Sequence, residues 1–180
     1  MDFSFEQGPI RPPSEAKSLL IRVTRNCPWN KCAFCNSYRG KKFELRPLDE
    51  IIADIKKMQE IASHVQKLSW KLGEGGKVTN RVIRLIFGQE STYDDNFRSV
   101  AAWLYFGGQS IFLQDADSLI LKTETLVSVL NEIKNAFPFV TRITSYCRSK
   151  TASRKSVDEL KRLKSAGLSR IHIGMESGYD

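Results

Sequence analysis

The hydrophobic positions of this chain follow two rhythms, and their alternation predicts its architecture. Short, nearly continuous apolar runs mark buried strands: Leu19-Leu20-Ile21-Arg22-Val23, then Ser110-Ile111-Phe112-Leu113, then residues 140–146 and 170–174. Between them, apolar residues recur every three or four positions. Ile51, Ile55, Met58, Ala62, Val65 and Leu72 predict one long amphipathic helix over residues 47–72, with Asp49 and Glu50 in the first turn, where the helix dipole favours negative charge. Glu74-Gly75-Gly76 ends it. A weaker helical pattern covers residues 81–87, a polar surface loop 89–96, and a further helix 97–106, which Gly107-Gly108 stops. Thr123 is placed to cap a helix bearing Leu126, Val127, Leu130 and Ile133, and Pro138 prevents that helix from extending. Ser156-Val157-Asp158-Glu159 has capping-box spacing and opens a helix carrying Leu160 and Leu163, which Gly167 closes.

Strands separated by helices imply an α/β fold: a parallel sheet with right-handed crossovers, in which ligands gather beyond the carboxyl ends of the strands. Residues 1–17, with Pro9, Pro12 and Pro13 among polar neighbours, read as an irregular N-terminal arm. Residues 18–180 read as one domain. The fourth strand is the last, so the expected architecture is a partial parallel β/α barrel, truncated after that strand. The four strand ends carry the segment beginning at Asn26, then Gln114-Asp115-Ala116-Asp117, Cys147-Arg148-Ser149 and Met175-Glu176-Ser177-Gly178. Taken singly, each reads as an ordinary polar turn. Taken together, they point to a shared active site.

Composition narrows the class. With 180 residues and 41% hydrophobic content the chain can bury one sizeable core. Its first residues lack a charged start followed by an apolar run, and no stretch approaches the roughly 18 apolar residues that span a bilayer. The expectation is a cytoplasmic protein without membrane attachment. The net charge of +8 is distributed over amphipathic helices rather than one tract, so it reads as a solvated basic surface and nucleic acid is not indicated.

The candidate chemistry lies in residues 26–36, Asn-Cys-Pro-Trp-Asn-Lys-Cys-Ala-Phe-Cys-Asn, which hold three of the four cysteines. Thiolates so close on one loop suit a soft centre, zinc or an iron–sulfur cluster, and a short loop costs little closure entropy. Three ligands leave a coordination position open, which is where a catalyst binds substrate or cofactor. Alternatively, a distant fourth ligand, Cys147, His64 or His172, completes a structural site. The spacing Cys27-x4-Cys32-x2-Cys35 also matches the first three ligands of a plant-type [2Fe–2S] ferredoxin, an electron carrier that would take Cys147 as its fourth. Zinc fits less well, because only Cys32 and Cys35 form a close pair. His172 reads as a satisfied core histidine and His64 as a residue of an exposed helix face.

A cysteine triplet with an aromatic before its last member, directly after the first strand of a β/α chain, resembles the radical S-adenosylmethionine superfamily. Residues 24–35 and Ile171-His172-Ile173-Gly174-Met175-Glu176-Ser177-Gly178 carry the likeness. The triplet has four residues between its first two cysteines where that family commonly has three. Gln114-Asp115-Ala116 stands where the family commonly has Gly-Gly-Glu or a glycine run. The resemblance implies that Cys27, Cys32 and Cys35 hold a [4Fe–4S] cluster whose fourth iron takes the amino and carboxylate groups of S-adenosylmethionine. Reduction would then release methionine and a 5′-deoxyadenosyl radical that abstracts hydrogen from a substrate the sequence does not reveal. An external electron donor of flavodoxin or ferredoxin type is implied. By the same resemblance Phe34 lies near the adenine or packs in the core, and Gln114 and Asp115 meet the amino group. Ser145 and Arg148 meet the carboxylate or ribose, although Arg148 alone also reads as a surface residue. Glu176 and Ser177 hydrogen-bond the cofactor or close a buried turn, and Trp29 is a lid or a packing residue.

Overall fold

The computed structural model describes residues 3–89 and 91–174. The chain begins with β1 (Leu19–Arg22), β2 (Thr24–Arg25) and β3 (Glu44–Leu45), followed by α1 (Leu48–Lys71), α2 (Asn80–Gly88) and α3 (Asp95–Tyr105). It continues through β4 (Ser110–Gln114), α4 (Thr123–Ala136), β5 (Arg142–Tyr146), α5 (Ser149–Ala152), α6 (Val157–Ala166) and β6 (Leu168–His172). Single 3-10 turns occupy Pro13–Glu15 and Ser118–Ile120. The four strands expected from the apolar runs form one parallel sheet in the order β1-β4-β5-β6. The architecture is therefore α/β with a sequentially ordered parallel sheet. No helix among the described residues is long and apolar enough to cross a membrane.

Side chains alternate across a strand, and the sheet uses that alternation. Leu19 and Ile21, Ile111 and Leu113, and Ile143 enter one core cluster with the apolar stripes of α1, α3, α4 and α6. Ile51, Ile55, Met58, Ile61 and Val65 of α1 are wholly buried there, each stabilising the fold by about 1.5–3 kcal/mol relative to exposure. The intervening residues Leu20, Phe112 and Thr144 are buried outside that cluster, on the opposite face. There the Phe112 ring meets Tyr146 edge-on at 5.0 Å and His172 at 6.1 Å.

Among its described residues the N-terminal arm holds only the 3-10 turn Pro13–Glu15, and it is packed. Phe5 belongs to the core, and Phe3 stacks obliquely on Phe97 of α3 at 5.1 Å. Further on, the Gln114 side chain accepts from the Gly8 N–H (2.9 Å) and donates to the Ile10 carbonyl (2.6 Å), holding the arm at the end of β4. Glu15, wholly buried, accepts from Ser18 and Arg142 and lies 3.4 Å from His172 Nε2. Helices cover one face of the sheet; the arm packs Phe3 and Phe5 on that side, passes the end of β4 at Gly8 and Ile10, and carries Glu15 to Arg142 and His172.

Several local expectations change. Lys122, not Thr123, is the N-cap of α4, without a side-chain cap bond; Thr123 is the first helical residue and donates to Glu159 at 2.6 Å, tying α4 to α6. The capping box at Ser156 and Glu159 forms as expected, and Gly167 ends α6 at a φ of 118°, which favours a residue without Cβ. The fourth strand begins at Leu168 rather than residue 170, because the β5–β6 register shifts between Ile143 and Thr144. Ser169 fills the irregularity with its hydroxyl, which accepts from the Ile143 N–H and donates to the Ile143 carbonyl. The third strand starts at Arg142, since the Thr141 and Arg142 N–H groups both turn toward the Gln109 carbonyl. His64 is half-buried against the Phe3 ring at 5.3 Å, not on an open helix face. His172 is 21% exposed beside Glu15.

Candidate functional site

The cysteine loop leaves the sheet at the end of β1 and returns through the short antiparallel pair β2–β3, in which Thr24 faces Leu45 and Arg25 faces Glu44. Residues 26–43 contain neither helix nor strand. Two asparagines close the base of this excursion. Asn26 (φ 65°) and Asn30 (φ 52°) occupy the left-handed region that asparagine tolerates better than most residues. Their side-chain amides donate across the loop, Asn26 to the Lys42 carbonyl at 2.6 Å and Asn30 to the Lys41 carbonyl at 2.5 Å. Further out the chain makes only turns, among them the Cys35 N–H donating to the Cys32 carbonyl.

Below the loop sits a buried ionic frame. Asp115, with no exposed surface, accepts from Arg22 Nε (2.8 Å), the Asn26 N–H (2.9 Å) and the Tyr38 hydroxyl (3.0 Å), so it grips the residue before the first cysteine and a residue after the last. Burial, reinforced by the Asp115 charge and hydrogen bond, pushes the Tyr38 phenol far above its ordinary range and keeps it a donor. Arg22 also pairs with Glu6 at 2.8 Å, and Glu6 gathers Arg25 (2.6 Å) and Arg46 (3.3 Å). Arg46 adds Asp54 of α1 at 2.7 Å. Burial raises the Glu6 carboxyl, but its bond from Arg25 and the charges of Arg46, Arg25 and Arg22 outweigh this and hold it below the usual range. Glycine is required at position 8, where a Cβ would stand 2.0 Å from Asp115 Oδ1.

The expected site residues separate into three groups. Cys27, Cys32 and Cys35 are half-buried free thiols, and Phe34 between them is 64% exposed. Trp29, 46% exposed, carries the Arg148 guanidinium 5.0 Å from its ring centre, so the structure brings the end of β5 against the cysteine loop. Gln114, Asp115 and Ser145 lie at the same edge of the sheet but are wholly buried and engaged by the chain itself; the Ser145 hydroxyl donates to the Leu113 and Tyr146 carbonyls. Glu176 and Ser177 lie outside the described residues. Among the described residues no three His, Cys, Asp or Glu side chains are gathered in a way that could hold a metal ion, so the three thiols share a loop without converging. Cys147 belongs to the core, 3% exposed, and its thiol is pushed up to about 12 by burial first and by the neighbouring Asp117 second. Asp117 is itself buried, which raises its carboxyl despite hydrogen bonds from Thr151 (2.5 Å) and the Arg148 N–H (3.3 Å).

Comparison with protein-family models, with curated proteins and with solved structures gave no match to this chain. Its function must therefore be argued from its own residues. Sequence reasoning missed the frame: Glu6, Arg46 and Tyr38 carried no motif, and only the excess of arginine near the loop, at Arg22, Arg25 and Arg46, hinted that buried acids would be needed.

Proposed function

We propose that this chain is the cluster-bearing part of a radical S-adenosylmethionine enzyme, built on a partial parallel β/α barrel. The observation that carries the reading is the position of the cysteine loop: three free thiols beyond the C-terminal end of the first strand of a sequentially ordered parallel sheet, held at its base by a buried frame. The donor set fits the group. Thiolate sulfurs suit an iron–sulfur cluster, and a segment made only of turns can bring three of them together without disturbing helix or strand. The Asn30 Oδ1 atom, buried in this loop with no hydrogen-bond partner, marks packing that is not yet saturated. When bound, the [4Fe–4S] cluster would supply the electron, received from an external flavodoxin-type or ferredoxin-type donor, for reductive cleavage of S-adenosylmethionine.

The chain's own residues take the remaining roles. Cys27, Cys32 and Cys35 are the ligands. Arg148, propped on Trp29 beside the loop, is the cation available to a cofactor carboxylate, and Phe34 offers an open ring face to the adenine. Asp115 positions the loop through Asn26 and Tyr38. The four-cysteine electron-carrier reading is less well supported, because Cys147 is packed in the core and its thiolate is disfavoured.

Anaerobic reconstitution tests this directly. The protein should take up four irons and four sulfides per chain, Cys32→Ala should lose most of that iron, and Cys147→Ala should keep it. One zinc, a stable [2Fe–2S] spectrum, or equal loss in both variants would reject the proposal.

A further inference from the structure

The sequence spreads its positive charge, but the fold collects part of it around the cysteine loop. Residues 26–43 hold four lysines and arginines and no acid, and so do residues 147–155. The contact of Arg148 with Trp29 places these two segments side by side at one edge of the sheet. Two of the eight cations are neutralised, Lys42 by Glu44 and Lys155 by Glu159, each at 3.6 Å. Lys31, Arg39, Lys41, Arg148, Lys150 and Arg154 form no ion pair among the described residues. The buried frame underneath does not cancel them, because its carboxylates are consumed by Arg22, Arg25 and Arg46.

Two large rings stand exposed within this field. Trp29 already accepts cations, with Lys31 Nζ 5.4 Å and Arg148 5.0 Å from its ring centre, and Phe34 lies five residues further along the same loop. Cations alone suit any acidic partner. Exposed aromatic rings interleaved with cations, Phe34 open and Trp29 flanked by Lys31 and Arg148, suit a ligand that alternates phosphate with a flat π-system, which describes a nucleic-acid strand whose bases are free to unstack. A duplex hides the faces of its bases, and an acidic protein surface matches the charges without setting a flat π-system beside each one.

We infer that the rim formed by residues 29–41 and 148–154 binds single-stranded nucleic acid, with bases on Trp29 and Phe34 and the backbone phosphates on the surrounding lysines and arginines. This goes beyond the proposed chemistry and stands without it, since neither the charges nor the rings depend on a metal; Phe34 and Arg148, which that chemistry gives to the cofactor, are shared, so strand and cofactor would compete for them. It revises the expectation that nucleic acid is not indicated: the basic residues are dispersed in sequence yet gathered in space.

Fluorescence anisotropy with a labelled 12-nucleotide uridine strand tests the inference on the whole chain, without cluster and under reducing conditions, alongside a duplex of equal length. The single strand should bind more tightly than the duplex. Its affinity should fall with salt at a log–log slope of about −2 to −3.5, the value for roughly three to five phosphates. Trp29→Ala should weaken binding about tenfold, as loss of one base stack does, while Trp29→Phe should largely restore it. Lys31→Glu should weaken binding as well, whereas Lys67→Glu, the same charge change on distant α1, should not. Circular dichroism confirms that each variant is folded. Equal affinity for duplex and strand, or no loss in Trp29→Ala, would overturn the inference, and selective binding of an acidic protein with Trp29 indifferent would assign the rim to a protein partner instead. Because iron is measured separately, failure here leaves the cysteine assignment standing, and the reverse also holds.

Discussion

The cysteine loop and the frame beneath it differ in almost every physical respect, though they meet at Asn26 and Tyr38. The frame consists of buried and half-buried charges, each with several partners: Asp115 holds Arg22, Asn26 and Tyr38, while Glu6 holds Arg22, Arg25 and Arg46. The loop consists of half-exposed thiols, exposed rings and unpaired cations on turns. A buried charge is tolerated only when its geometry is fixed, whereas a metal or ligand site needs groups that can still move into place. The molecule fixes where the loop starts and ends, through Asn26 and Tyr38, and builds its interior from turns.

The sharpest way to break this comparison is to remove the frame's central carboxylate. Asp115→Ala orphans the Asn26 N–H and the Tyr38 hydroxyl and strips Arg22 of one of its two acids, so unfolding free energy from urea titration should fall by about 3–5 kcal/mol. Trypsin cleavage at Lys31, Arg39 and Lys41 should accelerate in the same variant. A loss no larger than that of an ordinary surface substitution would mean that the loop holds itself.

Acid should act on the same frame more gently. The Glu6 carboxyl is held below its ordinary value of 4.5 in the folded protein, so the stability it contributes is complete above that value and is lost as pH falls through the folded one. The urea midpoint should therefore drop on acidification below about pH 4.5, with a shallower drop in Glu6→Gln. An unchanged slope in that variant would place the acid sensitivity elsewhere, for instance at Glu159, whose carboxyl is lowered to about 2 by its hydrogen bonds from Thr123 and the Ser156 N–H. The smallest effect belongs to the loop: Phe34→Ala should alter stability by less than about 0.5 kcal/mol, as substitutions of exposed side chains do. A larger loss would show that the loop is already part of the packed structure.

The sheet and its helices were legible because their signals are local. The runs at residues 19–23 and 110–113 and the spacing from Ile51 to Leu72 each announce their element within a few residues of themselves. The cysteines were equally legible, as three thiols in one short stretch. What escaped depends on distant partners. Glu6 and Glu15 sit in a proline-rich stretch that offers no periodicity, and nothing in it predicts pairing with Arg46 or Arg142. Strands β2 and β3, two residues each, are too short to leave a pattern. Asp115 stands out in the sequence by its position at a strand end, but its bonds to Asn26 and Tyr38 come from a loop that precedes it by more than seventy residues.

Glu15 gives the fold an order in time. Its partners Arg142 and His172 lie 127 and 157 residues further along the chain. At translation rates of about 5–20 residues per second, the arm emerges roughly 8–30 s before the last strand that it must touch. Until then its buried acid lacks these two partners and must stay in water, so this end of the arm can settle only after β5 and β6 have joined the sheet. Glu15 is thus made well before the strands that hold it, and contacts this distant in sequence are the slow ones to form.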